Sequence, residues 1–178
     1  MSKYAGTKTE KNLMEAFAGE SQARNKYTFF ASAAKKAGYE QLAALYLETA
    51  DQEKEHAKMW FKEFHGIHDI ETNLEDAAQG ENFEWTDMYA RMAREAREEG
   101  FEDVANTFHY VIDAEKHHEN RYLKLLENVR NNTVFQKDYE THWMCRECGY
   151  IHYGKSAPQK CPNCHHPQAY FQVLCENY

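Results

Sequence analysis

The chain has 178 residues, 28% of them charged, and a formal net charge of −8, which is enough for one helical bundle of roughly 130 residues plus a small appendage. The acidic balance and the lack of a basic cluster exclude nucleic acid and anionic membranes as partners. The sequence has no apolar run of about 18 residues, and its N-terminus, MSKYAGTKTEKN, lacks the apolar core of a secretion signal, so a cytoplasmic protein is expected.

A first helix is predicted over 8 to 37, where Leu13, Phe17, Glu20, Tyr27 and Ala31 share the spacing of one stripe. Thr7 and Glu10 form a capping box at its start, and Gly38 is a natural left-handed stop. A second helix runs from about 39 to 65, with Leu42, Leu45, Tyr46, Thr49, Glu53, His56 and Trp60 along one side and Gly66 after it. A third is expected to begin near Gly80 or Asn82 and to end before Gly100, and a fourth to run from Phe101 to about Asn131. Gly38 and Gly100 leave almost no loop, so the helices pair as two antiparallel hairpins. Residues 66 to 80 read as an acidic connection, apart from a possible helical turn around Thr72 to Ala78. Fifteen extended residues reach about 50 Å, enough to cross a bundle of this size. The fold class expected is therefore mainly α, a ferritin-like four-helix bundle with one long crossover. All five cysteines and all three prolines lie beyond residue 144, which marks a second domain of different construction. The boundary is placed at 1–135 and 136–178.

The two hairpins also look like copies. AKKAGYEQLAALYLETADQEKEH is similar to AREEGFEDVANTFHYVIDAEKHH at a shift of 62 residues. Glu53 and His56 follow Gly38 by fifteen and eighteen residues, and Glu115 and His118 follow Gly100 by the same offsets. Glu-x-x-His puts a carboxylate and an imidazole one turn apart on one helix face. Glu20 lies eighteen residues before Gly38, and Glu84 and Glu81 lie sixteen and nineteen before Gly100. At 1.5 Å per residue, all seven groups stand about 25 Å from their turns.

Five carboxylates packed in a core without a counter-charge would cost several kcal/mol per group. Two cations reverse the balance, leaving about −1 if divalent and about +1 if trivalent. Oxygen-rich coordination with some imidazole suits iron or manganese better than structural zinc, and facing Glu-x-x-His helices are the pattern of a dinuclear carboxylate site. His65, His68, His109 and His117 lack matched partners and read as solvated residues.

Cys145-x-x-Cys148 and Cys161-x-x-Cys164, twelve residues apart, form a four-thiolate site with two knuckles. Trp143, Gly149, Tyr150 and Pro162 around the knuckles, with Tyr170 and Phe171 beyond them, favour a rubredoxin-type iron over a zinc ribbon. Cys175 is surplus and reads as packed or free. So small a domain depends on its metal for folding.

The stretches TEKNLMEAFAGESQARNKY, ETADQEKEHA, GENFEWTDMY and AREEGFEDVA with AEKHHE resemble the rubrerythrin family, and the resemblance covers essentially the whole chain. It implies a ferritin-like diiron bundle followed by a small rubredoxin-like β/knuckle domain, with three irons per chain. By resemblance Glu20, Glu53, Glu81, Glu84, Glu115 and His118 ligate the iron pair, with Glu53 and Glu115 bridging. His56 takes over one iron on reduction in exchange for Glu84 or Glu81. Tyr27 and Tyr89 match tyrosines that hydrogen-bond near the site. The implied activity is that of an oxidoreductase, a non-haem iron peroxidase that reduces hydrogen peroxide to water and protects against oxidative stress. Electrons would come through the tetrathiolate iron from carriers such as rubredoxin and its reductase, giving NADH peroxidase-like turnover, and the family forms homodimers. An iron-handling ferroxidase, and a tail that is only a zinc docking module, stay open at this point. Two departures stand out: His165 where rubredoxins place glycine after the second knuckle, and a compact connection between helices two and three.

Overall fold

The protein is described from a computed structural model that covers residues 2–178. Two compact units divide the chain, one ending at His68 and the other running from Asp69 to Tyr178.

The first unit is a helical hairpin of α1 (Lys8–Lys36) and α2 (Glu40–Phe64). Thr7 caps α1, its hydroxyl accepting from the Glu10 amide at 3.1 Å. The expected reciprocal contact is displaced by one residue, since Glu10 Oε2 accepts from the Gly6 N–H at 2.8 Å. The helix stops in a Schellman motif. Gly38 has φ +83, its amide donates to Lys35 O at 3.1 Å, and that of Tyr39 donates to Ala34 O at 2.9 Å. Only a residue without a Cβ adopts that φ at little cost, and the chain reverses at once. The seam of α2 is small-residued, with Ala43, Ala50 and Ala57 buried at seven-residue intervals. Phe17 meets Phe61 with ring centroids 5.2 Å apart, and Tyr27 stacks on Tyr46 at 6.1 Å.

The second unit begins with a rod in three parts: α3 (Ile70–Phe83), a π-helical segment (Glu84–Met88) and α4 (Tyr89–Glu98). Here the sequence expectation is corrected. The third helix starts about ten residues earlier than Gly80, because Asp69 caps it by accepting from the Thr72 amide at 2.9 Å, and only residues 65–69 link it to α2. The fifteen-residue connection is thus mostly helix. A second Schellman turn follows the rod, with Gly100 at φ +87 and the Phe101 amide donating to Ala96 O at 2.8 Å. The returning helix, α5, spans Glu102–Arg130. Arg130 ties its end back to α3 through Glu71 and Glu75.

A three-stranded antiparallel sheet completes the chain, built from β1 (Gln136–Cys145), β2 (Ile151–Ser156) and β3 (Phe171–Val173) in the order β2-β1-β3. Its core is five residues: Trp143, Cys145, Ala157, Cys161 and Phe171. The buried Trp143 indole N–H donates to Gly154 O at 2.9 Å, which satisfies its one polar group. Mainly α with a small β/knuckle module is the class expected from the sequence, and it is the class found.

Candidate metal centres

The two Schellman turns set the heights of the acidic residues. Counting back from Gly38 along α1 and forward along α2 brings Glu20 beside Glu53 and His56, and one ligand atom from each of the three lies within 4.8 Å of the others. His56 Nδ1 is 2.9 Å from Glu53 Oε2. In the second unit Glu81, Glu115 and His118 form a group of the same composition and the same tightness. His118 Nδ1 stands 2.6 Å from Glu115 Oε2 and 3.4 Å from Glu81 Oε2. Six of the seven predicted ligands are therefore drawn into two close groups, each with two carboxylates and one imidazole.

Glu84 is the seventh. It opens the π-helical segment and stands outside both groups. Burial, then the Glu115 charge, push its carboxyl above the ordinary value, against the opposing pull of His118. Glu81 is raised for the same first reason, followed by its contact with Glu115, and His118 again opposes. Tyr89 is raised by burial and by the Glu84 and Glu115 charges, which places it within the field of the acidic group, while its ring packs on Phe108 at 5.9 Å. Tyr27 lies in an aromatic set with Phe30 and Tyr46.

These shifts carry a sign. A carboxyl with a raised folded-state pKa holds its proton more tightly folded than unfolded, so stability falls as pH rises from about the unfolded value through the folded one. The metal-free protein should lose stability above about pH 4.5, the ordinary value for Glu81 and Glu84. A divalent cation should restore it increasingly with pH, because ligation needs the deprotonated carboxylates. Thermal melts of the metal-free chain between pH 4 and 7, with and without ferrous ion, check this; a stabilisation by iron that shrinks as pH rises would contradict it.

The four predicted cysteines also converge, with sulfurs within 4.8 Å of one another. Cys145 Sγ is 3.7 Å from Cys164 Sγ, and Cys148 Sγ is 3.6 Å from Cys161 Sγ. An S–S bond would be about 2.05 Å, whereas four sulfurs about 2.3 Å from a tetrahedral centre stand about 3.8 Å apart. The spacing fits a metal. The two knuckles repeat one hydrogen-bond pattern. The Gly149 amide donates to Cys145 O at 2.9 Å and that of Cys145 to Tyr150 O at 2.8 Å; the His165 amide donates to Cys161 O at 3.0 Å and that of Cys161 to His166 O at 2.8 Å. His165 therefore occupies the place of Gly149, in the left-handed region at φ +64 against +75 for the glycine, and is strained as the sequence suggests.

The thiols compete for charge. The Tyr150 amide and Asn163 lower Cys148 to about 6. At Cys164 the His166 amide also lowers, but burial and the other thiols outweigh it and push the group to about 12. His166, which the sequence reading passed over, has Nδ1 3.4 Å from Cys164 Sγ. Cys175 is exposed and outside the group.

Two Glu-Glu-His groups and a four-cysteine knuckle in one mainly helical chain define a metal-binding protein of two constructions, one with oxygen and imidazole donors and one with thiolate. Comparison with known proteins agrees. The Rubrerythrin family model matches residues 11–126, and the model of the rubrerythrin rubredoxin-like domain matches residues 143–172. Rubrerythrin-1 of Clostridium acetobutylicum is 50% identical, with both chains covered in full. Rubrerythrin of Porphyromonas gingivalis is 50% identical over 97% of this chain and 93% of its own, and that of Nitratidesulfovibrio vulgaris is 45% identical with both covered in full. The chain belongs to the rubrerythrin family. Among the described residues no helix is long and apolar enough to cross a membrane.

Proposed function

We propose that this protein is a non-haem iron peroxidase, an oxidoreductase that reduces hydrogen peroxide to water and protects the cytoplasm against oxidative stress. The observation that carries the reading is the pairing of two matched Glu-Glu-His groups with a tetrathiolate knuckle in one chain, since iron storage alone needs no electron-entry domain. Glu20, Glu53 and His56 with Glu81, Glu84, Glu115 and His118 would hold an iron pair, which supplies the two electrons that reducing peroxide to two waters requires. Cys145, Cys148, Cys161 and Cys164 would hold a third iron with no open position, suited to passing single electrons. Residues 1–135 and 136–178 are thus the catalytic and electron-entry domains. The chain acts as a homodimer, and its donors are electron-carrier proteins of the rubredoxin kind.

The residues divide the work. Glu53 and Glu115, each hydrogen-bonded to the histidine three residues on at 2.9 and 2.6 Å, would supply carboxylates shared by the two irons. Of the two on the third rod, Glu81 is drawn into the close group and Glu84 is left outside it, which favours Glu84 over Glu81 as the carboxylate that would be exchanged for His56. Tyr89, within the field of Glu84 and Glu115, keeps its proton and can donate it to an oxygen at the site.

Stopped-flow mixing of the fully reduced protein with hydrogen peroxide tests the reading. Both iron chromophores should oxidise, the carboxylate-bound pair first and the tetrathiolate iron after it. If both stay reduced, peroxide reduction is ruled out.

A further inference from the structure

The rod that carries Glu81 and Glu84 changes helix type within the site. The Tyr89 amide donates to Glu84 O, an i to i+5 bond, so one extra residue is accommodated between α3 and α4. Such a turn has no strong local preference. If the segment reverted to plain α-helix, everything on one side of it would rotate by about 100° relative to the other, and a ligand three residues from the junction would leave the site.

One side chain of α5 grips this junction. Glu119 Oε1 accepts from Asn82 Nδ2 at 2.9 Å, and its Oε2 accepts from the Trp85 indole N–H at 2.6 Å. Asn82 directly follows Glu81, and Trp85 directly follows Glu84. Each anchor is thus the next residue after a proposed ligand, and the two lie on either side of the point where the π segment begins. Lys116 adds a second hold, with Nζ 4.9 Å from the Trp85 ring centroid. All three groups of the grip are half-buried, so water competes weakly for these bonds.

We infer that Glu119 is a positioning residue for the iron pair: its carboxylate spans Asn82 and Trp85 and locks the register of the π segment so that Glu81 and Glu84 face Glu115 and His118. The inference rests on the proposed function, because it assumes that these carboxylates hold iron. Glu119 itself is not a ligand. It acts as the groups behind metal ligands do, whose loss typically weakens binding about 10- to 100-fold.

The test is ferrous-ion titration of the metal-free full-length protein, followed by the near-ultraviolet charge-transfer absorption of the oxidised pair. The visible band of the tetrathiolate iron serves as an internal control. Glu119→Ala should weaken uptake at the carboxylate site about tenfold or more and alter its absorption, with helix content and the tetrathiolate band unchanged. Glu119→Gln should largely preserve uptake and absorption, because its carbonyl can accept from the Trp85 indole N–H while the Asn82 amide turns to present Oδ1 to the new N–H donors. Glu119→Leu keeps the bulk without the acceptors and should weaken uptake as Glu119→Ala does. Rescue by the amide but not by the apolar side chain is not expected of a residue that only adds bulk. Wild-type loading in Glu119→Ala or Glu119→Leu, or a loss in Glu119→Gln as large as in Glu119→Ala, overturns the inference alone. A wild-type protein that takes up no iron beyond its tetrathiolate overturns the proposed function and this inference together.

Discussion

Replacing Cys161 by serine should empty the tetrathiolate site and unfold the C-terminal module while leaving the helices standing. Cys161 is fully buried, and with Cys145 it makes up two of the five residues of the module's core. The remainder, Trp143, Ala157 and Phe171, is too little apolar surface to order some forty residues by itself. Binding of a structural metal in small thiolate sites is worth on the order of 10 kcal/mol, so losing it outweighs what packing can supply. Far-ultraviolet circular dichroism should keep its helical signal while the Trp143 emission moves to the red and the tetrathiolate band disappears. Turnover with a protein electron donor should fall at least about 100-fold, since outer-shell losses alone reach that size. A chemically reduced iron pair should still react once with peroxide. A Cys161→Ser protein that loses its visible band yet keeps its module folded and its turnover would show that the module neither depends on the metal nor carries the electrons.

The second large effect is expected at Glu115. Glu115→Gln is nearly isosteric and should leave α5 intact, but it removes a charge that, after burial, helps raise Glu81, Glu84 and Tyr89. In the metal-free protein those two carboxyls should titrate nearer their ordinary value, which infrared or NMR titration reads directly. With iron, one of the proposed ligands is gone, and uptake at the carboxylate site should weaken by more than about 100-fold, beyond the loss of an outer-shell partner. The tetrathiolate band should not change. Glu127→Gln, on the same helix but exposed, should bind iron as the parent does. Equal iron uptake by Glu115→Gln and the parent would remove Glu115 from the site.

Much of this was legible in the residues because helical geometry turns sequence offsets into heights. Gly38 and Gly100 mark where the chain reverses, and equal offsets from those turns put Glu53 with His56, and Glu115 with His118, at matching heights on their hairpins. The cysteines were legible for a chemical reason, as four thiols at knuckle spacing have few uses. The start of α3 was misplaced because its acidic run lacks a strong apolar stripe and Gly80 looked like a boundary. The true marker was Asp69 with Thr72, a side-chain cap of ordinary strength. The π segment has no marker of its own. Its hydrogen bonds are those a plain helix would nearly make, and what tips the choice includes Glu119, thirty-odd residues away along the chain. His166 was passed over because its neighbours in sequence say nothing about the sulfur it meets in space.

The alanines at 43, 50 and 57 have no chemistry, yet they govern how closely two backbones can lie, and so the spacing of Glu20 and Glu53, two of the carboxylates proposed to hold iron. A single added methyl group along that seam would pry the jaws apart without touching a donor atom. The reach of the donors is thus set by the thinnest side chains in the hairpin.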